Sequence, residues 1–363
     1  MKKSHVGMLA SLRSIAEKSG LSINSVSNIL NRGRDHLYKK QTVDRVKRIA
    51  EEAGYRRNLA ARMLLSNTSR MIGFVTLSLE NSGTLKNAVV YPFLVGATDF
   101  LADHNYHIVL VPVKELLAGP ELLPQVLREH FFDALILQLG PWHRLQESKE
   151  IANTPILHWD SGLFAADNCL HRDELEVGRE LTRKLISLGH RRIALAMTVH
   201  DWEGCRQPAN PSPTSDALQS HFSVIQRHAG YVEALREARL EPIEIVIGTA
   251  VELADRLYSS EPSAVVLLGT SAYGPFESAA RRLGWSIPER LTVASCDIDP
   301  RVQSEDGVKI GGFLYDRYAF GLQAGEMLLA LLQKKARSTP SRVVHSAFRL
   351  GETIIRPATH KRG

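Results

Sequence analysis

Apolar residues follow two different rhythms along this chain. Between Ser11 and Gly54 they recur at helical spacing: Leu12, Ile15 and Ala16 in one run, Val26, Ile29 and Leu30 in a second, Val43, Val46, Ile49 and Ala50 in a third. The punctuation agrees, with Ser11 and Ser22 where N-caps are needed and Ser19-Gly20 and Gly54 where a helix must stop. This pattern predicts a compact head of three short helices over 12–19, 23–30 and about 40–53. From Met71 onward the rhythm changes to short apolar runs that read as buried strands: MIGFVTLSL, HIVLVPV, ALILQL, PILHW, RIALAM, IEIVI, AVVLLG and LTVASC. Helical stretches at 92–104, 177–188 and 224–238 separate them. Strand-helix alternation over residues 71–363 predicts parallel sheets with helices on both faces, and the length predicts two such lobes. The segment 203–220, EGCRQPANPSPTSDALQS, is rich in Pro, Ser and Asn and reads as a mobile surface loop. No internal repeat or low-complexity tract is present.

Charge divides the chain at the same place. Lys and Arg outnumber Asp and Glu by 15 to 5 over residues 1–70, while the remainder carries 30 against 34. A basic head on a mildly acidic body suits a module that neutralises phosphates, joined to a separate domain. Cys169, Cys205 and Cys296 show no CxxC spacing, which points to a reducing compartment and away from a disulfide frame or zinc finger. Arg13 and Glu17 interrupt any signal-peptide core, and no stretch approaches the roughly 20 apolar residues of a membrane helix. A cytoplasmic location is expected, with no membrane partner.

The head carries the chemistry of a helix-turn-helix. Ala16 leaves room at a helix crossing, Gly20 supplies the turn, and Leu21 and Val26 plug the space beneath. Ile23, Asn24, Ser25, Ser27 and Asn28 then form the expected outer face of the second helix, several with an amide or hydroxyl for base edges in the major groove. SLRSIAEKSGLSINSVSNILN, followed by QTVDRVKRIAEEAGYRRNLAARMLLSNTSRMIGFV, resembles the head and hinge of the lactose-repressor (LacI) family over residues 11–75. The resemblance implies base-reading roles for Ile23, Asn24 and Asn28, the last at a place where that family often has Arg. Residues 58–65 are too few to be helical alone. The resemblance makes this segment a hinge helix in the minor groove, contacting DNA through Asn58, Ala61 and Arg62, with Leu64 wedged into the central base step.

Beyond the hinge, IGFV at 72–75, LGHRRIAL at 188–195, RHAGYVEAL at 227–235, RRLGWSIPERLTVASCD at 281–297 and FGLQAGEMLLALL at 320–332 are similar to the periplasmic-binding-protein-like core of the same family. The implied architecture is an all-α helix-turn-helix head (1–57), a hinge (58–70) and an α/β two-lobed core (71–363) that binds effector and dimerises. Asp160, Arg227 and Asp297 match polar residues of the effector cleft. There a buried arginine fork suits a carboxylate or paired sugar hydroxyls, and aspartates accept from hydroxyls. The chain departs from the family pattern at Gly269 and Thr270, followed by Ser271 and Tyr273 as candidate ligand contacts, at Gly311 and Gly312 followed by Tyr315, and around 81–92. Tyr91 and Phe93 are read as core residues before stacking surfaces.

An enzyme is the main rival class. GTSAYG at 269–274 superficially suggests a serine-nucleophile elbow, but the glycine needed two residues after Ser271 is missing. No GxxxxGK[ST], HExxH or strand-linked GxGxxG occurs, and His104, His107 and His158 read as surface or core histidines. No catalytic residue, metal or cofactor is therefore expected. A transport-type sugar-binding protein would share the core but have no use for residues 11–65. The reading that remains is a sequence-specific transcriptional regulator, expected to be a repressor. Its partners would be operator DNA, a small-molecule effector such as a sugar, and a second copy of itself; with no heptad tail after RPATHKRG, a homodimer is expected over a tetramer.

Overall fold

The computed structural model describes residues 11–56, 68–77, 83–113, 125–128, 131–138, 151, 153–160, 165–206, 221–302, 304, 307–333 and 338–357. The chain divides into two compact units, residues 1–69 and 70–363.

The first unit holds α1 (Leu12–Ser19), α2 (Ile23–Leu30) and α3 (Lys40–Glu52), with a 3₁₀ turn at Asp35–Leu37. Ser11 and Ser14 cap α1 reciprocally, each side chain accepting from the other's backbone N–H. Gly20, at φ 69, takes the left-handed conformation that ends α1, and Ser22 accepts from the Ser25 N–H to start α2. The interior is Ile15, Ala16, Val26, Ile29, Leu30, Val43, Val46 and Ala50, which are residues whose spacing predicted the helices.

The second unit contains two six-stranded sheets. The first joins β1 (Met71–Leu77), β2 (His107–Val113), β3 (Ala134–Gln138), β4 (Ile156–Trp159), β5 (Cys169–Arg172) and β11 (Arg342–Val344), in the order β11-β5-β4-β3-β1-β2 and parallel throughout. The second joins β6 (Ile193–Met197), β7 (Ile243–Val246), β8 (Ala264–Leu267), β9 (Thr292–Ser295), β10 (Gly311–Leu314) and β12 (Ala347–Arg349). Its order is β12-β10-β9-β8-β6-β7, with only β12 antiparallel. Continuous apolar strands are explained by burial on both faces. In β6, Ile193, Leu195 and Met197 enter one core and Ala194 and Ala196 the other; β1 and β3 divide their side chains in the same way.

The helices complete the layers. In the first lobe α4 (Gly83–Asp103) packs along α11 (Arg317–Gln333); in the second α6 (Glu174–Leu188) packs along α8 (Phe222–Glu237). The order of elements makes the chain pass between the lobes three times: between β5 and α6, between β10 and α11, and between β11 and β12.

Three expectations need correction. The helix read as starting at Pro92 begins at Gly83 and carries Pro92 inside it; packing on α11, with Phe93 fully buried, outweighs the lost backbone hydrogen bond. The first residues of the expected 203–220 loop belong to α7 (Val199–Arg206), where Thr198 and Asp201 exchange capping hydrogen bonds and Trp202 donates to Glu244; residues 207–220 lie outside the described residues. Strands β5, β10, β11 and β12 escaped the reading, because CLHR, GGFL, RVV and AFR are too short to show a period.

The α6–α8 contact yields a prediction. A Cβ on Gly178 would collide with the Arg227 carbonyl, whereas one on Gly274 meets nothing within 4 Å. Gly178→Ala should lower stability by about 1–3 kcal/mol, seen as a lower denaturant midpoint at unchanged slope. Gly274→Ala should leave the midpoint level or raised.

Candidate functional site

The outer face of α2 is narrower than its sequence suggests. Ile23 is 49% exposed, Asn24 is exposed and Ser25 is half-buried, its hydroxyl 2.9 Å from that of Ser22. Ser27 and Asn28, expected on this face, are buried at 6% and 9% exposure. The cause is the connection to α3, which helical periodicity cannot register: Asn28 donates to the Tyr38 hydroxyl at 3.1 Å. Arg32, just past the helix end, donates to Asn24 Oδ1 at 3.2 Å and Asn28 Oδ1 at 3.3 Å. Asn58, Ala61, Arg62 and Leu64 lie outside the described residues, so their DNA-facing roles stay expectations.

In the core, the carboxyl ends of parallel strands converge, where ligands of open α/β sheets bind. Asp160 follows β4, Asp297 follows β9, Arg172 ends β5, and Arg227 stands in the second turn of α8. Asp160 has φ 51, a left-handed conformation that costs a non-glycine residue about 1 kcal/mol or more. The preceding Trp159 anchors it, stacked on Phe93 with centroids 3.6 Å apart and edge-on to Phe320.

The structure brings Asp160, Arg227 and Asp297 into one buried network together with residues that the sequence reading missed. Arg172 binds Asp160 at 2.9 Å, Glu174 at 2.9 Å and Asp297 at 3.3 Å. Arg227 binds Glu174 through Nε at 2.5 Å and Nη2 at 2.9 Å, and its Nη1 donates to the Leu268 carbonyl. Arg317 Nη2 meets both oxygens of Asp297, at 2.6 and 2.7 Å. Three guanidiniums thus face three carboxylates, and every nitrogen of Arg227 has a partner. The expected open arginine fork is therefore corrected: the fork is already filled from within.

This network ties the lobes together. Arg172 and Arg317 belong to elements of the first lobe, while Glu174 and Asp297 belong to the second. His221, which caps α8, reaches Asp160 at 3.5 Å, and Tyr315 at the end of β10 donates to Asp173 at 3.0 Å and Glu174 at 3.3 Å. His345, in the third crossing, meets the other Asp173 oxygen at 3.0 Å. Burial pushes the Asp160 and Asp297 carboxyls up. Arg172 and His221 outweigh it at Asp160, and Arg317, Arg227 and Arg172 at Asp297, so both stay below the usual carboxylate range. Burial raises the Tyr315 hydroxyl, with Glu174 adding to it, and pushes the Cys296 thiol up to about 12.

Ser271 is exposed in the turn after β8, but Tyr273 is not on the cleft wall. It opens α10 (Tyr273–Arg282) and points inward with Phe276 and Ala280, 1% exposed in a core shared with Leu253 and Leu267. A helix phase set by that core overrides the position its sequence neighbours suggested. Among the described residues no group of His, Cys, Asp and Glu that could hold a metal is found, and no helix is long and apolar enough to cross a membrane.

Comparison with known proteins places these features. Residues 182–354 match the family described as periplasmic binding protein-like domain. The HTH-type transcriptional repressor PurR of Vibrio atlanticus is 24% identical over 304 residues, covering 80% of this chain and 82% of the repressor. A solved structure of the Lac repressor dimer bound to operator and the anti-inducer ONPF is 19% identical, with TM-score 0.73 over 96% of this chain and all of that one. The complex of transcriptional regulator CelR with cellobiose is likewise 19% identical, with TM-score 0.57 over 95% of this chain and all of that one. This chain shares with these solved structures the fold of a three-helix head followed by a two-lobed, periplasmic-binding-protein-like core. The chain is thus similar in sequence to helix-turn-helix transcriptional regulators and in fold to solved LacI-family regulators.

One prediction follows from the network and another from the buried His158 of β4. Arg227→Met strips Glu174, 0% exposed, of two guanidinium hydrogen bonds and should cost about 3–5 kcal/mol in chemical denaturation; a loss under about 1 kcal/mol would mean that the network contributes little to holding the core. The pH response should begin with histidine. Burial, with His171 adding to it, holds His158 at about 4 against an ordinary 6.5, so the folded chain binds fewer protons and stability falls as pH drops from 6.5 towards 4. The depressed aspartates keep their contribution until pH falls below their ordinary 3.8. Stability at pH 5 should lie about 2 kcal/mol below that at pH 8 through His158 alone, and His158→Gln should flatten that part of the profile.

Proposed function

We propose that this chain is a transcriptional regulator, most simply a repressor, that binds operator DNA as a homodimer and whose operator affinity is set by a small ligand in the interlobe cleft. The observation that carries this reading is the pairing of a basic, capped helix-turn-helix, with Ile23 and Asn24 exposed at the start of its second helix, and a core whose lobes are joined by a charged network at their crossovers. The relatives support it: PurR is a repressor by name, and the Lac repressor is a dimer on its operator. In this reading residues 1–57 read DNA in the major groove, with Ser25 beside Ile23 and Asn24. Residues 58–70 form a hinge in which Asn58, Ala61 and Arg62 contact DNA and Leu64 wedges into a base step. Residues 71–363 bind the effector and dimerise.

A sugar or sugar derivative suits the cleft. Carboxylates such as Asp160 and Asp297 accept from hydroxyls, and the arginines are already neutralised, so no net positive charge is left to attract an anion. CelR with cellobiose is a similar chain holding such a ligand. A ligand that favours one lobe orientation over the other must work against or with the Arg172 and Arg317 contacts to Asp297, which is the differential binding that allosteric control requires. Enzymatic activity forms no part of the proposal.

Selection of duplexes from a random pool by the full-length protein tests the reading. The expected product is a near-palindromic site bound with at least about a thousandfold preference over random duplex at fixed salt. Asn24→Ala should remove discrimination at symmetric positions worth about 1–3 kcal/mol each while leaving the salt slope unchanged. Equal, salt-sensitive binding to every duplex would sink the proposal.

A further inference from the structure

We infer that Arg32 is a specificity-determining residue of the DNA-reading head: it turns the amide of Asn24 so that its N–H donors face the base edge, and thereby selects guanine over adenine at the base pair Asn24 meets. The inference rests on the head's reading DNA, as proposed above, and adds a residue and a base to it.

Asn24, Asn28 and Arg32 follow one another at intervals of four residues, so they lie along a single stripe of the second helix and the turn that follows it. Arg32 is held there by its own backbone N–H, which donates to the Ser27 carbonyl at 3.1 Å. From that anchor its Nη1 spans the stripe and donates to both amide oxygens, at 3.2 Å on Asn24 and 3.3 Å on Asn28. Asn28 is fixed from its other end as well, its amide nitrogen donating to Tyr38 at 3.1 Å. Asn28 is therefore buried and spent on structure. It serves as the post on which the guanidinium is positioned.

Of the two asparagines on this stripe, Asn24 is the exposed one. A free asparagine side chain can turn over and can pair with adenine through one acceptor and one donor. With Arg32 on its oxygen, the turned-over orientation loses a charge-assisted hydrogen bond and sets a cation against the –NH2 group. The orientation that remains presents donors, and the other N–H groups of the exposed Arg32 add more beside them. A surface made of donors matches guanine, whose major-groove edge offers two acceptors, N7 and O6, and mismatches adenine, whose N6 amino group requires an acceptor.

The test is a bound-duplex selection with the full-length protein and its Arg32→Ala, Asn24→Ala and double variants at one salt concentration, followed by titration of single-base variants of the selected site. Guanine should be preferred over adenine by about five- to a hundredfold at one symmetric position in each half-site. Arg32→Ala should erase or reverse that preference at that position and no other, and should do nothing further in the Asn24→Ala background. Unfolding of the head, followed in the same variants, should stay at the unsubstituted midpoint, since Arg32 is exposed and outside the interior. A uniform loss of affinity across all sequences, with the salt slope reduced by about one, would make Arg32 a phosphate contact and overturn the inference. So would an adenine at the position that Asn24→Ala relaxes. If the unsubstituted protein enriches no sequence, the inference goes down together with the function it rests on.

Discussion

Three arginines and three carboxylates, buried where the chain crosses between the two lobes, are the constraint on which the core depends. Taking six charges out of water is costly, and the cost is recovered only if each ion finds close partners of opposite sign. That condition fixes more than the local geometry. Arg172 must stand at the end of β5, Glu174 at the start of α6, Asp297 beyond β9 and Arg317 at the start of α11, so two of the three crossovers are tied by the same contacts that join the lobes. The lobes are thus held by hydrogen-bonded charge, which has discrete arrangements, in addition to apolar packing. A ligand entering such a cleft has to compete with defined partners.

The head obeys a different economy. It has an interior of small and medium aliphatic residues, two serine caps and a turn glycine, and its polar face is sparing. Of the five residues on α2 with the chemistry for base edges, two are consumed by the fold: Ser27 in the interior and Asn28 in its hydrogen bond to Tyr38. The face left open on α2 is therefore Ile23 and Asn24, with Ser25 at the margin and Arg32 reaching along the stripe from beyond the helix end. In the proposed function, the narrowness of that surface is a physical reason for a dimer to be the DNA-reading unit, since few contacts per head carry little specificity.

Much of the architecture was legible from side-chain rhythm. The limits of α1 and α2 fall where their serine caps and helical spacing put them, and all eight apolar runs read as strands became strands, β1, β2, β3, β4, β6, β7, β8 and β9. Asp160, Arg227 and Asp297 were named from resemblance and do come together. Their partners Arg172, Glu174 and Arg317 were not, because CLHR and GGFLYDR carry no period and contacts such as Arg227 to Glu174, 53 positions apart, and Arg172 to Asp297, 125 apart, are made only by the fold. Tyr273 was misplaced for the converse reason: its neighbours in sequence suggested a cleft, and the phase of α10 turned it into the core.

What the sequence determined by itself is whatever depends on near neighbours: helix starts and stops, the alternation that demands parallel sheets, the basic charge of the first 70 residues and the identity of the groups able to meet a base or a hydroxyl. What only the tertiary structure decided is which of those groups remain available. Whether a guanidinium is open or filled, and whether an asparagine faces solvent or a tyrosine, is settled by segments that are distant in sequence and close in space. Long-range hydrogen-bond partners, unlike helix caps and hydrophobic periodicity, leave no local trace along the chain.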